Sequence, residues 1–147
     1  VVRMSDDLRL DSHRSMDELG KFSVNLELHG VNLSDEESQD LLETVMRQAT
    51  EDCFAGGADF IGHVKGCLLT SDDRIVRANM VSIRTGVESE NLLDGRGFQG
   101  GRLMMHLILH GIWDPDVRRI TLDAISRVMD ERGVGYRLIQ DYCEAVV

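Results

Sequence analysis

The pattern of this sequence predicts an α+β fold, on three observations. Two stretches read as copies of one another: Leu26-Glu27-Leu28-His29-Gly30-Val31 and Leu107-Ile108-Leu109-His110-Gly111-Ile112. Each is an apolar-rich run that ends in Leu-His-Gly and leads to a helix start. Internal repetition constrains architecture more firmly than local propensity does. Second, apolar residues alternate with period two in several segments and recur at helical spacing in two others. Third, 147 residues at 42% hydrophobic and 29% charged suit one globular core rather than a disordered chain.

The elements follow in order. Ser23 to Val31 alternates, with Val24, Leu26 and Leu28 on one side and Asn25, Glu27 and His29 on the other. That is a half-buried strand. Ser34-Asp35-Glu36-Glu37 matches a capping box, in which Ser and Glu satisfy each other's free backbone N–H groups. Leu41, Leu42, Val45, Met46 and Ala49 then predict a helix from about Asp35 to Phe54, stopped by Gly56-Gly57. Phe60 to Leu69 and Ile75 to Ile83 read as a hairpin around Ser71-Asp72-Asp73-Arg74. Residues 85–101 lose all periodicity and read as one long glycine-rich loop. Leu103 to Ile112 is the second repeat strand. Asp114 is expected to cap the next helix, with Pro115 in its first turn and Gly133 at its end. Tyr136 to Val147 reads as a last strand or a short helix.

A duplicated β-α-β unit with an inserted hairpin strand predicts a ferredoxin-like sandwich, with two helices on one sheet face. Residues 1–20 are expected to be a flexible arm, and residues 21–147 a single domain. If the repeat strands are parallel neighbours, His29 and His110 lie side by side on the open face. Side-chain parity adds His106 to that face. It adds His63, Lys65 and Cys67 as well if the bulkier set of Phe60, Gly62, Val64 and Leu68 turns inward.

This face is where function is expected. The candidate ligand-binding residues are His29, His110, His106, Glu27 and Lys65, joined by Arg96 and Arg102 from the loop region. Histidine titrates near neutral pH, and arginine matches carboxylate or phosphate bidentately. The alternative is a divalent transition metal such as zinc on His29, His110 and His63, with Glu27 or Cys67 beside it. Against both stands a structural role, in which Gly30 and Gly111 permit a turn and each histidine bonds a nearby group.

Other motifs point elsewhere or nowhere. Gly95, Gly97 and Gly100 form Gly-x-Gly-x-x-Gly, but the glycines lead into a strand. A phosphate cradle needs them to open a helix. A net charge of −10 and a pI near 4.8 disfavour nucleic acid as a partner. No apolar run approaches bilayer length. Three cysteines, none in a Cys-x-x-Cys pair, point to a reducing, cytoplasmic setting. Met104 and Ile108, in phase with His106 and His110, predict homo-oligomers that cover the sheet. The expected function is therefore a small ferredoxin-like binding or regulatory protein, homo-oligomeric through its sheet. It takes a small ligand or partner on the histidine face. The alternative is a metal-dependent enzyme or metal-handling protein.

Overall fold

The computed structural model describes residues 19–142. Six strands and two helices follow in the order β1 (Leu19–His29), α1 (Asp35–Ala55), β2 (Phe60–Thr70), β3 (Ile75–Met80), β4 (Val87–Leu92), β5 (Gly101–His110), α2 (Asp114–Arg132) and β6 (Gly135–Tyr142). The fold is α+β. One fully antiparallel sheet runs in the order β4-β3-β2-β5-β1-β6. The helix α1 joins β1 to β2 with β5 between them, and α2 joins β5 to β6 with β1 between them. Leu19 and Gly20 already belong to β1. The rest of the expected N-terminal arm, and the expected last strand beyond Tyr142, lie outside the described residues.

Alternation decides which sheet face is covered. Phe22, Val24, Leu26 and Leu28 of β1 are buried, as are Leu103, Met105, Leu107 and Leu109 of β5. The helix α1 packs on β2, β3 and β4, α2 packs on β1 and β6, and the helices pack on each other. Leu41, Leu42, Val45, Met46 and Ala49 of α1 meet Val117, Ala124, Ile125, Val128 and Met129 of α2 in this one core. The stripe expected for α1 is thus its buried stripe.

Helix ends follow local chemistry. The Ser34–Glu37 capping box forms, with Ser34 N–H donating to Glu37 at 2.9 Å and Glu37 N–H donating to Ser34 Oγ at 3.0 Å. Gly133 takes the left-handed conformation that closes α2. Asp114 is not the cap of α2: Trp113 holds that position, without a side-chain capping bond. The Asp114 carboxylate instead accepts from the Lys21 backbone N–H at 2.8 Å, tying α2 to β1.

Two further expectations are corrected. The repeat strands β1 and β5 are neighbours, but they are antiparallel, with Leu19 opposite His110 and Leu28 opposite Gly101. And residues 85–101 are not one loop. Val87–Leu92 forms β4, paired along its length with β3. Two of its three inward residues, Ser89 and Asn91, are polar, so it lacks a hydrophobic period. Ser89 donates to Glu43 of α1, and Asn91 Nδ2 donates to the Asp35 carbonyl at 2.9 Å.

The glycine-rich stretch after β4 is stapled down. The Asp35 carboxylate accepts from Gly95 N–H and Gly97 N–H, both at 2.7 Å. The Arg74 guanidinium donates to the Leu93 and Gly97 carbonyls at 3.0 and 2.7 Å. Phe98 is fully buried and bridges to Leu33 through two backbone bonds. At Gly97, φ is +67°, and a Cβ there would sit 2.3 Å from the Leu33 carbonyl oxygen. Gly97 therefore serves close backbone approach, and the Asp35 carboxylate already occupies the N–H groups of Gly95 and Gly97.

Candidate functional site

The sheet face opposite the helices carries polar residues from all six strands. Pairing registers align one row across all six strands: Tyr142, Ser23, His106, Lys65, Asn79 and Glu88. A second row runs Gln140, Asn25, Met104, Cys67, Arg77 and Glu90. Together the two rows line a concave trough of about 770 Å3. Ten of these twelve residues are polar or charged, and the Met104 thioether and Cys67 thiol supply the apolar part of the two rows.

One end of the trough is basic. Ser23 Oγ and His106 Nδ1 lie 2.5 Å apart. His63 sits diagonally across from His106, with ring centroids 5.2 Å apart and planes tilted by 56°. Burial holds His106 below the usual imidazole range, and the charges of His63, Lys65 and Lys21 press it further down. His63 is lowered by burial and then by Lys65. Both rings thus favour the neutral form. Lys65 makes no ion pair among the described residues.

The far end is acidic but largely paired. Arg77 Nε donates to Glu90 at 2.9 Å, and Glu88 lies across Asn79 from Lys65. On β1, between Met104 and Gln140, the Asn25 amide oxygen is buried with no hydrogen-bond partner among the described residues. Leaving such a group unpaired costs about 1–3 kcal/mol. Burial pushes the Cys67 thiol up, against a weaker lowering contact at the Met104 backbone. It is therefore a poor nucleophile.

The sequence-predicted residues divide clearly. His106, Lys65 and Cys67 line the trough, with His63 beside it. His63, Lys65 and Cys67 do face outward as expected. Phe60 does not turn inward with Val64: a bulge between Ile61 and His63 shifts the register, and Phe60 is 54% exposed. It stacks on His110 at 4.8 Å, and His110 Nδ1 lies 2.7 Å from Asp59. His29 lies at the other end of the sheet, opposite Gly135.

Antiparallel pairing over ten residues therefore separates His29 from His110 by roughly 30 Å. The metal set His29, His110 and His63 is not brought together. Among the described residues, no group of three or more His, Cys, Asp or Glu side chains converges. Glu27 is paired with Arg137 at 2.9 Å. Arg102 lies opposite Glu27 and Leu69, one row beyond the trough. Arg96 reaches Asp72, at 3.5 Å, rather than the sheet face.

Sequence reading missed Ser23, Tyr142, Asn79 and Glu88. Only the register places them in one row. Ser23 was legible as a polar position on an alternating strand, but nothing local marks it as the partner of a histidine 83 residues away.

No family model matches the chain, and no curated protein matches it. Among solved structures, it is similar to an X-ray structure described as a putative amidohydrolase/peptidase from Burkholderia cenocepacia. The TM-score is 0.40 at 14% identity, over 83% of this chain and 27% of that one. The chain thus spans about a quarter of that structure's length, and a likeness this distant carries no argument about activity. No helix among the described residues is long and apolar enough to cross a membrane.

Proposed function

We propose that this chain is a ferredoxin-like binding module whose open sheet face takes a small ligand in the mid-sheet trough. The fold reading rests on strand order: β2-β5-β1-β6 with two split crossovers has the ferredoxin-like arrangement, and the β3–β4 hairpin extends it at the β2 edge. The binding reading rests on one observation, a concavity of about 770 Å3 lined by Ser23, His106, Lys65 and Asn79 together with Met104 and Cys67. Its size falls within the range of small-molecule sites, roughly 300–1,000 Å3.

The test is a screen of neutral fragments by ligand-observed NMR, run on the native protein and on Met104→Trp. The indole fills the trough floor without touching the helix-covered core. Hits that the variant loses support the reading; hits that it retains, or no hits on either protein, overturn it. A second reading, homo-oligomerisation through the sheet, is favoured by the edge strand β6. Leu138 and Ile139 there are 40% and 38% exposed. Light scattering on Leu138→Lys distinguishes it: a dimer that becomes a monomer places the contact on this edge.

A further inference from the structure

We infer that the ligand of this trough is a small organic oxyanion, its carboxylate or phosphate head set against Lys65 and the Ser23–His106 pair. The inference rests on the trough being a binding site and adds the chemistry of its occupant. Its first support is a charge anomaly. The chain carries 26 acidic against 16 basic residues, yet this end of the open face gathers Lys21, His63, Lys65 and His106. No carboxylate among the described residues pairs with Lys65. The nearby acids are engaged or displaced: Glu27 with Arg137, Glu90 with Arg77, and Glu88 beyond Asn79.

The second support is geometry. In the pairing rows, Lys65 lies directly across β2–β5 from His106, which lies directly across β5–β1 from Ser23. Ammonium, imidazole and hydroxyl thus sit on three adjacent strands spaced about 4.8 Å apart. That spacing suits donors converging on one head group. The next row supplies an apolar floor, Met104 beside Cys67, for the body of the ligand. Burial and positive neighbours keep both imidazoles short of protons, so an arriving negative charge draws protons onto them. The groups facing His106 are Lys21 and Ser23 from β1 and His63 and Lys65 from β2, with Tyr142 of β6 beyond Ser23. None of these is an acid that would already supply the missing charge.

The experiment is calorimetric titration of the protein with hexanoate, inorganic phosphate and, as a neutral control, hexanol. Hexanoate or phosphate should bind at least about tenfold more tightly than hexanol, as charge-assisted bonding requires. Binding should weaken by about tenfold or more in Lys65→Gln and in His106→Gln. Both positions are solvent-facing or half-buried, and NMR spectra of the variants check their fold. Affinity for hexanoate, which stays ionised throughout, should rise from about pH 8 to about pH 6, with proton uptake on binding. Tighter hexanoate assigns a carboxylate, and tighter phosphate a phosphate monoester. Equal binding of hexanol and hexanoate, or anion binding unchanged in both variants, overturns the inference. If neither anion binds while neutral fragments still occupy the trough, the anion inference alone fails; if nothing occupies it, both readings fail.

Discussion

The two Leu-His-Gly corners and the middle of the sheet make a useful contrast. The corners share a sequence, and each glycine takes a positive φ, +66° at Gly30 and +91° at Gly111. Yet they share no site, because antiparallel pairing puts them at opposite ends. His29 is exposed beside Gly135, whereas His110 is held by Asp59 and Phe60. The middle of the sheet has no repeated motif, but there Ser23, His106, His63 and Lys65 meet. A repeat encodes a local turn; the register of strands distant in sequence encodes the site.

The corners themselves should break unequally. At Gly111 a Cβ would lie 3.0 Å from the Gly57 carbonyl oxygen and 3.2 Å from the Asp59 carboxylate, whereas at Gly30 it would meet nothing within 4 Å. Gly111→Ala should therefore cost about 3 kcal/mol and Gly30→Ala about 1 kcal/mol in urea denaturation. Equal costs would mean that the corners are packed alike. The histidines should follow the same order. His110→Ala loses a ring stack and an Asp59 bond and should cost about 1–2 kcal/mol, while His29→Ala should stay within about 0.5 kcal/mol.

Acid titration sharpens the contrast from the other side. The folded state holds His63 and His106 below their ordinary value of 6.5. Below that pH the unfolded chain binds more protons than the folded one. Stability present above about pH 6.5 is therefore lost as the pH falls through the lowered folded values. His106→Gln should flatten that decline in denaturation curves taken across the range; an unaltered decline would mean that the ring is not desolvated. A smaller effect concerns the thiols. Burial pushes Cys53 up to about 12 and raises Cys67 less far. In a Cys143→Ser background, alkylation timed by mass spectrometry should modify Cys67 first and leave Cys53 unreacted until the protein unfolds. Faster reaction at Cys53 would contradict the packing of α1 against α2.

Much of the fold was legible because periodicity records burial. The stripe of α1, the Ser34–Glu37 cap and the alternation of β1 and β5 each report which face meets the core. Strand β4 escaped because Ser89 and Asn91 turn polar groups inward to bond α1. The parity of Phe60 escaped because one bulged residue, Gly62, inverts it. The site was half legible. His106 could be assigned to the open face from parity, whereas His63, Lys65 and Cys67 also needed the expectation that the bulkier set turns inward. Their partners could not be assigned, because pairing direction between distant strands leaves no mark on either strand.

The central claim is that function lies in the mid-sheet trough and not at the repeated histidines. The most direct measurement is an amide chemical-shift map of ligand binding, recorded on the native protein and on His29→Ala/His110→Ala. The account predicts shifts clustered at Ser23, Lys65, Met104 and His106, unchanged in the double variant. Shifts centred on His29 and Gly135 or on Asp59 and His110, and lost in that variant, would contradict it.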